Sequence, residues 1–336
     1  MSDEGSGRDH TDIAMWGAPG SGKTTLLAAL SIALSRRPQQ DWRIVGGDAP
    51  STDFLIQNTL ALSGVGEFPE ATKDRNRYRW TLLGPPAGKN GRRRGKPAQV
   101  TATRININLM DPPGGSFGDS HHLSTADKSE LISSLEKSKG IIFLFDPIRE
   151  FEKGDAFNYL FAPLSQLASQ MLASSDKYPD GKLPHHLAIC ITKFDELRVL
   201  QTASELTLLT TDPDDVHQFP RVPQDDAAQL LQELCSISAT GNADIMLNTL
   251  THFFHEDRIK YYVTSSIGFY LDPMRKVFDM ADPVNLVPHA PLSSPSAAEP
   301  MPSRIRGQVH PINVVEPVLW LGQQVLNEHA NGSPAG

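Results

Sequence analysis

The sequence predicts an α/β fold of three layers, with a mostly parallel sheet, one antiparallel hairpin strand and helical insertions. Three observations predict it. An apolar run, a glycine-rich loop and a helical run follow one another over residues 13–36. Further strand-like runs, at 141–145, 187–191 and 259–263, alternate with stretches of helical periodicity. Between these regions, residues 78–83 and 100–110 alternate apolar and polar across a segment rich in turn residues. Strands separated by helices place a parallel sheet between two helical layers. Alternating strands joined by a turn form a hairpin.

The elements follow in order. Residues 1–11 are polar, carry no secretory signal and are expected to be disordered. The strand at 13–16 leads into the loop and a helix at 24–36. A polar stretch with a short helix at 53–62 precedes the hairpin. Its loop, 84–99, carries Lys89, Arg92, Arg93, Arg94 and Lys96, and reads as a solvated tip. A helix at 125–137 precedes the strand at 141–145. The amphipathic stretch 156–172 is expected to break near Pro163. Residues 12–281 are expected to form one domain, enlarged by a helical insertion at about 197–244. Residues 282–310 are rich in Pro, Ser and Ala and read as a flexible linker. A helix at 311–328 closes the domain, and 329–336 is a disordered tail.

Bulk composition narrows the class. The 336 residues are 39% hydrophobic and 21% charged, with a formal net charge of -8. Nothing in this balance supports DNA binding. No apolar run reaches the ~20 residues of a membrane helix. Only Cys190 and Cys235 are present, and both read as buried free thiols of a reducing, cytoplasmic setting.

Four segments carry the chemistry. The first is Gly17-Ala18-Pro19-Gly20-Ser21-Gly22-Lys23-Thr24. Strand, glycine loop and helix together are the context of a phosphate-cradling loop. Gly17, Gly20, Ser21 and Gly22 bring backbone amides around phosphates, at the positive end of a helix. Lys23 adds a mobile charge, the Thr24 hydroxyl is placed to hold Mg²⁺, and Thr25 follows on the same turn. The second segment is Asp111-Pro112-Pro113-Gly114. Asp111 can hold Mg²⁺ through water, and Gly114 lets an amide approach a γ-phosphate.

The third segment is Thr192-Lys193-Phe194-Asp195, after a buried strand. A carboxylate there accepts two hydrogen bonds from the N1–H and amino group of guanine, and adenine offers neither. The Lys193 stem packs over the base. The fourth is Thr264-Ser265-Ser266, whose small residues let amides reach the guanine carbonyl.

These segments, in this order, resemble a TRAFAC-class GTPase, the class of Ras-like and dynamin-like proteins. The resemblance covers residues 13 to about 268 and the last helix. The loop, Phe68-Pro69-Glu70-Ala71-Thr72 and Glu316-Pro317-Val318-Leu319-Trp320 are also similar to bacterial double-GTPase-like proteins of multi-gene conflict systems. The resemblance implies a Ras-like P-loop domain that binds GTP and GDP with Mg²⁺, hydrolyses GTP, and meets a protein effector or co-encoded partner. It implies Lys23, Thr24, Asp111, Gly114 and Asp195 in the roles above, with Thr192 where Asn is commoner. Thr72 is the candidate for the remaining Mg²⁺ ligand, with Thr52, Thr59 and Thr81 as competitors.

One departure stands out. Ras-like enzymes follow the glycine of the second segment with Gln, which orients the attacking water. Here Gly115 stands there. Asp119, His121 and His122 are the nearby candidates for that task, with His121 taken forward as a catalytic candidate. Arg75, Arg77 and Arg79 are candidates for an added positive charge. Two rival readings stay open: a nucleotide-binding interaction module without turnover, and a P-loop ATPase or kinase.

Overall fold

The computed structural model describes residues 12–36, 41–69, 77–85, 103–110, 125–173, 178, 180–238, 243–288 and 303–331. In chain order these form β1 (Ile13–Gly17), α1 (Lys23–Ser35), β2 (Arg43–Gly46), α2 (Ala49–Leu60), β3 (Arg77–Gly84), β4 (Thr103–Met110), α3 (Thr125–Lys137) and β5 (Gly140–Phe145). There follow α4 (Pro147–Lys153), α5 (Ala156–Met171), β6 (His186–Ile191), α6 (Leu197–Glu205), β7 (Thr210–Thr211), β8 (Pro220–Arg221), α7 (Ala227–Ser236) and α8 (Ala243–Phe253). β9 (Ile259–Val263), β10 (Leu286–Pro288), β11 (Ser303–Ile305) and α9 (Glu316–Asn331) complete the described chain.

The main sheet has seven strands in the order β2-β3-β4-β1-β5-β6-β9. β1 pairs parallel with β4 and β5, and β5, β6 and β9 continue parallel. β3 runs against both β2 and β4, so it is the one antiparallel strand of this sheet. β1 lies at the centre because it is apolar on both faces. Successive side chains of a strand point to opposite sides. Ile13 and Met15 therefore enter a core shared with α1, α2 and α9, whereas Ala14 and Trp16 enter one shared with α3, α5, α7 and α8. Helix α1 is buried almost all round, with Leu26, Leu27, Ala28 and Ala29 each at most 2% exposed. A helix apolar on every side belongs inside a layer. The parallel strands β1, β5, β6 and β9 finish along one edge of the sheet, and the loops after them converge there. In open parallel sheets that edge is where ligands bind.

The structure departs from expectation in several places. Residues 43–46 form an edge strand, too short for its alternation to register in sequence. Helix α2 begins at Ala49 rather than 53, because the Asp48 carboxylate caps it by accepting from Ser51 N at 2.8 Å. Helix α5 runs unbroken through Pro163. Proline removes the donor that would reach the carbonyl of residue 159. Trp16 Nε1 donates to that carbonyl instead, at 2.9 Å, so no acceptor is orphaned. The region 197–244 carries helices as expected, and also a small ladder between β7 and β8. Its Phe219, Leu230 and Leu234 are buried in the same core as β5 and β6.

The expected linker at 282–310 is corrected at both ends. β10 pairs antiparallel with β11, and Ile305 and Val309 are buried in the core. Averaged Pro, Ser and Ala content hid a few well-spaced apolar residues. Residues 1–11, 289–302 and 332–336 lie outside the described residues, whereas 329–331, expected in the tail, end helix α9. Cys190 and Cys235 are buried free thiols. Among the described residues, no helix is long and apolar enough to cross a membrane.

Candidate functional site

The site is built from the loops at the convergent sheet edge. β1 ends at Gly17, and α1 begins at Lys23. Between them Gly20 and Gly22 sit at φ +77° and +90°, in the left-handed region, with open space where a Cβ would stand. Backbone angle, not crowding, requires glycine there. At Gly17 crowding decides, since a Cβ would lie 2.7 Å from Leu144 O and from Ser21 Oγ. Gly22 at the start of α1 offers no capping side chain, so the first-turn amides there call for another acceptor. Among the described residues the buried Ser21 hydroxyl has no hydrogen-bond partner. An open glycine cradle with uncapped amides fits a phosphate group.

Lysine and arginine surround this loop. Lys23 Nζ folds back to donate to Gly17 O and Ala18 O, each at 3.1 Å. Arg149, in α4, donates to Pro19 O at 3.4 Å. Its other nitrogens hold Asp155 at 2.8 and 2.6 Å and Tyr159 Oη at 3.2 Å. This fixed guanidinium was not singled out from sequence, where it belongs to no motif. The only signal was its place just after the apolar strand β5.

The opposite end starts where β6 ends. Thr192 ties itself to β5, with its amide at 2.9 Å and its hydroxyl at 3.0 Å from Phe145 O. Lys193 takes φ +57°, an uncommon angle for a residue with a side chain. Its Nζ is paired at 2.7 Å with Asp146, a buried carboxylate that sequence reasoning also missed. Phe194 anchors the turn in the core, 5.3 Å from the Phe269 ring. Asp195 is buried, and its Oδ1 accepts from Ser265 Oγ. Ser265 Oγ in turn accepts from Gly268 N at 2.7 Å. Burial pushes the Asp195 carboxyl up to about 6, and the bond from Ser265 opposes that shift.

One cavity of about 320 Å³ joins the two ends. Gly20, Ser21, Gly22 and Thr25 line one part, and Thr192, Lys193, Asp195 and Ser266 line another. Residues 170 positions apart in sequence thus face one space. Lys23 and Ser265 stand directly behind this lining, bonded to Gly17 and Asp195 respectively. The glycine loop after the central strand β1 and the turns after β6 and β9 meet here on a sheet with one antiparallel strand. The chain has the three-layer P-loop fold.

Other predicted residues fall elsewhere. Thr24 begins α1 beside Lys23 and is half-buried. Thr72, Asp111, Gly114, Gly115, Asp119, His121, His122 and Arg75 lie outside the described residues, and so does the basic hairpin tip. Among the competitors of Thr72, Thr52 Oγ1 is bonded to Asp48 O at 2.9 Å and Thr81 Oγ1 to Asn106 Oδ1 at 3.1 Å. Thr59 lies within α2. Arg79 pairs with Asp48 at 3.4 Å on the surface. The described residues contain no group of three or more His, Cys, Asp or Glu able to hold a metal ion.

No protein-family model and no curated protein matches the sequence. Solved structures do. The GTP-bound Ski7 GTPase-like domain of S. cerevisiae matches at 12% identity and TM-score 0.37, over 94% of this chain and 50% of that one. The signal recognition particle receptor complex SRb-GTP/SRX of Chaetomium thermophilum matches at 18% identity and TM-score 0.31, over 78% of this chain and 93% of that one. An Aquifex aeolicus Era variant bound to GDP·AlF4⁻ matches at 14% identity and TM-score 0.28, over 76% of this chain and 50% of that one. The chain therefore spans half the length of the Ski7 and Era chains.

Proposed function

We propose that the chain is a Mg²⁺-dependent, guanine-nucleotide-binding switch of the TRAFAC class that hydrolyses GTP to GDP, slowly or with a partner's help. One observation carries this reading: Asp195 and the Gly20–Gly22 turn line the same cavity. A triphosphate placed on the loop has its base within reach of a carboxylate. Carboxylates accept without donating, and guanine presents two adjacent donors. With Oδ1 held by Ser265, the carboxylate is aimed before the base arrives.

The residues divide the work. Loop amides and Lys23 hold the phosphates and offset charge that develops between the β- and γ-phosphorus, in a site where no solvent needs to reorganise. To bind, Lys23 exchanges its bonds to Gly17 O and Ala18 O for phosphate oxygens. Arg149, bonded to Pro19 O, would brace the loop from behind. Thr24, with Asp111 and Thr72, would hold Mg²⁺, which when bound neutralises charge shared by the outer phosphates. In this reading Gly114 and Thr72 would be the residues that answer to the presence or loss of a γ-phosphate. Gly115 has no side chain to orient water, so His121 or a partner's residue must do so. That same glycine favours, as a second reading, an interaction module with negligible turnover.

Nucleotide competition tests the first claim. GTP and GDP should displace bound GDP at least 100-fold better than ATP or ADP, from the bonds Asp195 makes to guanine alone. Equal competition by ATP would return the chain to the ATP-using class. Single-turnover hydrolysis, with and without partners, separates the switch from the inert module.

A further inference from the structure

Phe68, Leu286 and Ser303 line the cavity wall and neither belong to nor adjoin any of the four motif segments. Two of them come from the β10–β11 ribbon, in which Leu286 pairs with Ile305 and Pro288 with Ser303. The ribbon is fastened on two sides. On one, Asn285 is 1% exposed, donates to Ile267 O at 3.3 Å and Gln308 O at 3.2 Å, and accepts from Gly307 N at 2.9 Å. Ile267 follows Ser266 in the turn that closes the base end of the cavity. On the other side, Ile305 N donates at 2.8 Å to Gly66 O, two residues before Phe68. Arg306 locks the strand end, bonded twice to Asp282 at 2.6 and 2.9 Å and lying over the Tyr270 ring.

This arrangement answers a need the motifs leave open. A purine offers polar edges and two flat apolar faces. Asp195 and Ser266 suit the edges. Lys193 has one stem for a face. Leu286 is partly exposed on the wall of a cavity otherwise lined mostly by polar residues and glycines. It stands next to Asn285, and therefore beside the reading turn. A flat heterocycle is what would cover it.

We propose that Leu286 and Ser303 contact the nucleoside, and that the β10–β11 ribbon is the wall that retains it. The proposal rests on the cavity holding a guanine nucleotide. Because the ribbon touches the nucleoside and not the phosphates, it slows release of GDP and GTP alike. It also joins the base-reading turn to the segment leading into residues 70–76. Release therefore requires the ribbon to lift from Gly66.

The test is release of tritiated GDP and GTP, followed by filter binding, from the unmodified chain and from Leu286→Ala. The variant should release both nucleotides about tenfold faster, by the same factor, since burying part of a leucine is worth about that ratio. Because Leu286 also packs against the core that holds α1 and α9, the melting temperature of the variant without nucleotide should fall by a few degrees, and release is compared well below it. A second measurement needs no variant: hydrogen exchange at the Ile305 amide should slow at least tenfold when GDP is bound. Unchanged release with guanine selectivity intact overturns the ribbon proposal alone, and so does an Ile305 amide indifferent to GDP. Failure of the unmodified chain to retain GDP overturns the nucleotide reading, and the ribbon proposal with it.

Discussion

The two ends of the cavity are specified by different means. At the proposed phosphate end, main-chain geometry does the work: Gly20 and Gly22 adopt angles that side chains resist, and the amides of the turn would be the binding groups. At the base end, side chains do the work. Asp195 is set by Ser265, Ser265 by the Gly268 amide, and Lys193 by Asp146. The first kind of site is written in eight consecutive residues. The second is assembled from β5, β6 and β9, and exists only after the sheet has formed. The phosphate end should therefore tolerate distant substitutions. The base end should be sensitive to several residues that never touch the ligand.

Substitutions at each end can break this contrast. Lys23→Ala should cost the most, about 100- to 1,000-fold in GTP affinity, because a charged donor to the outer phosphates is lost. Isothermal titration would show it, and a loss below tenfold would mean the loop amides suffice. Next, Asp195→Asn should lower GDP affinity about 100-fold and invert the preference toward xanthosine diphosphate, whose edge now matches an amide. Unaltered guanine preference would remove Asp195 from its role. Ser265→Ala should cost about tenfold in GDP affinity with little change for free pyrophosphate, since both partners of its hydroxyl, Asp195 and the Gly268 amide, belong to the base end. Equal weakening of both ligands would show instead that the two ends are coupled.

The smallest effect is a pH dependence. In the free chain burial pushes Asp195 up to about 6, above the usual carboxylate range. Guanine needs the ionised form, so protons compete with it. GDP affinity, taken as a ratio to ADP, should be flat above pH 7 and fall toward tenfold per unit well below pH 6. In Asp195→Asn the slope should vanish.

Much of this was legible in the sequence, because the decisive signals are short and contiguous. The Gly17–Thr24 loop and the Thr192–Asp195 turn stand next to the strands they require. What escaped reading depends on distant partners. Pro163 looked like a helix break until Trp16, far away in the chain, turned out to satisfy the freed carbonyl. Asp146 and Arg149 look like ordinary capping and surface residues, and gain meaning only from Lys193 and Pro19. The ribbon read as a linker because Asn285, which bonds three backbone groups, is indistinguishable in sequence from a loop asparagine.

The Trp16 indole has one more consequence. It sits one residue before the first loop glycine, its ring tilted at 51° to that of Phe143 with centroids 5.0 Å apart, and it is tethered to α5. Any rearrangement of the turn on filling will perturb its emission. With Trp42, Trp80 and Trp320 exchanged for phenylalanine, the chain would carry its own optical gauge of occupancy, and no dye would be needed.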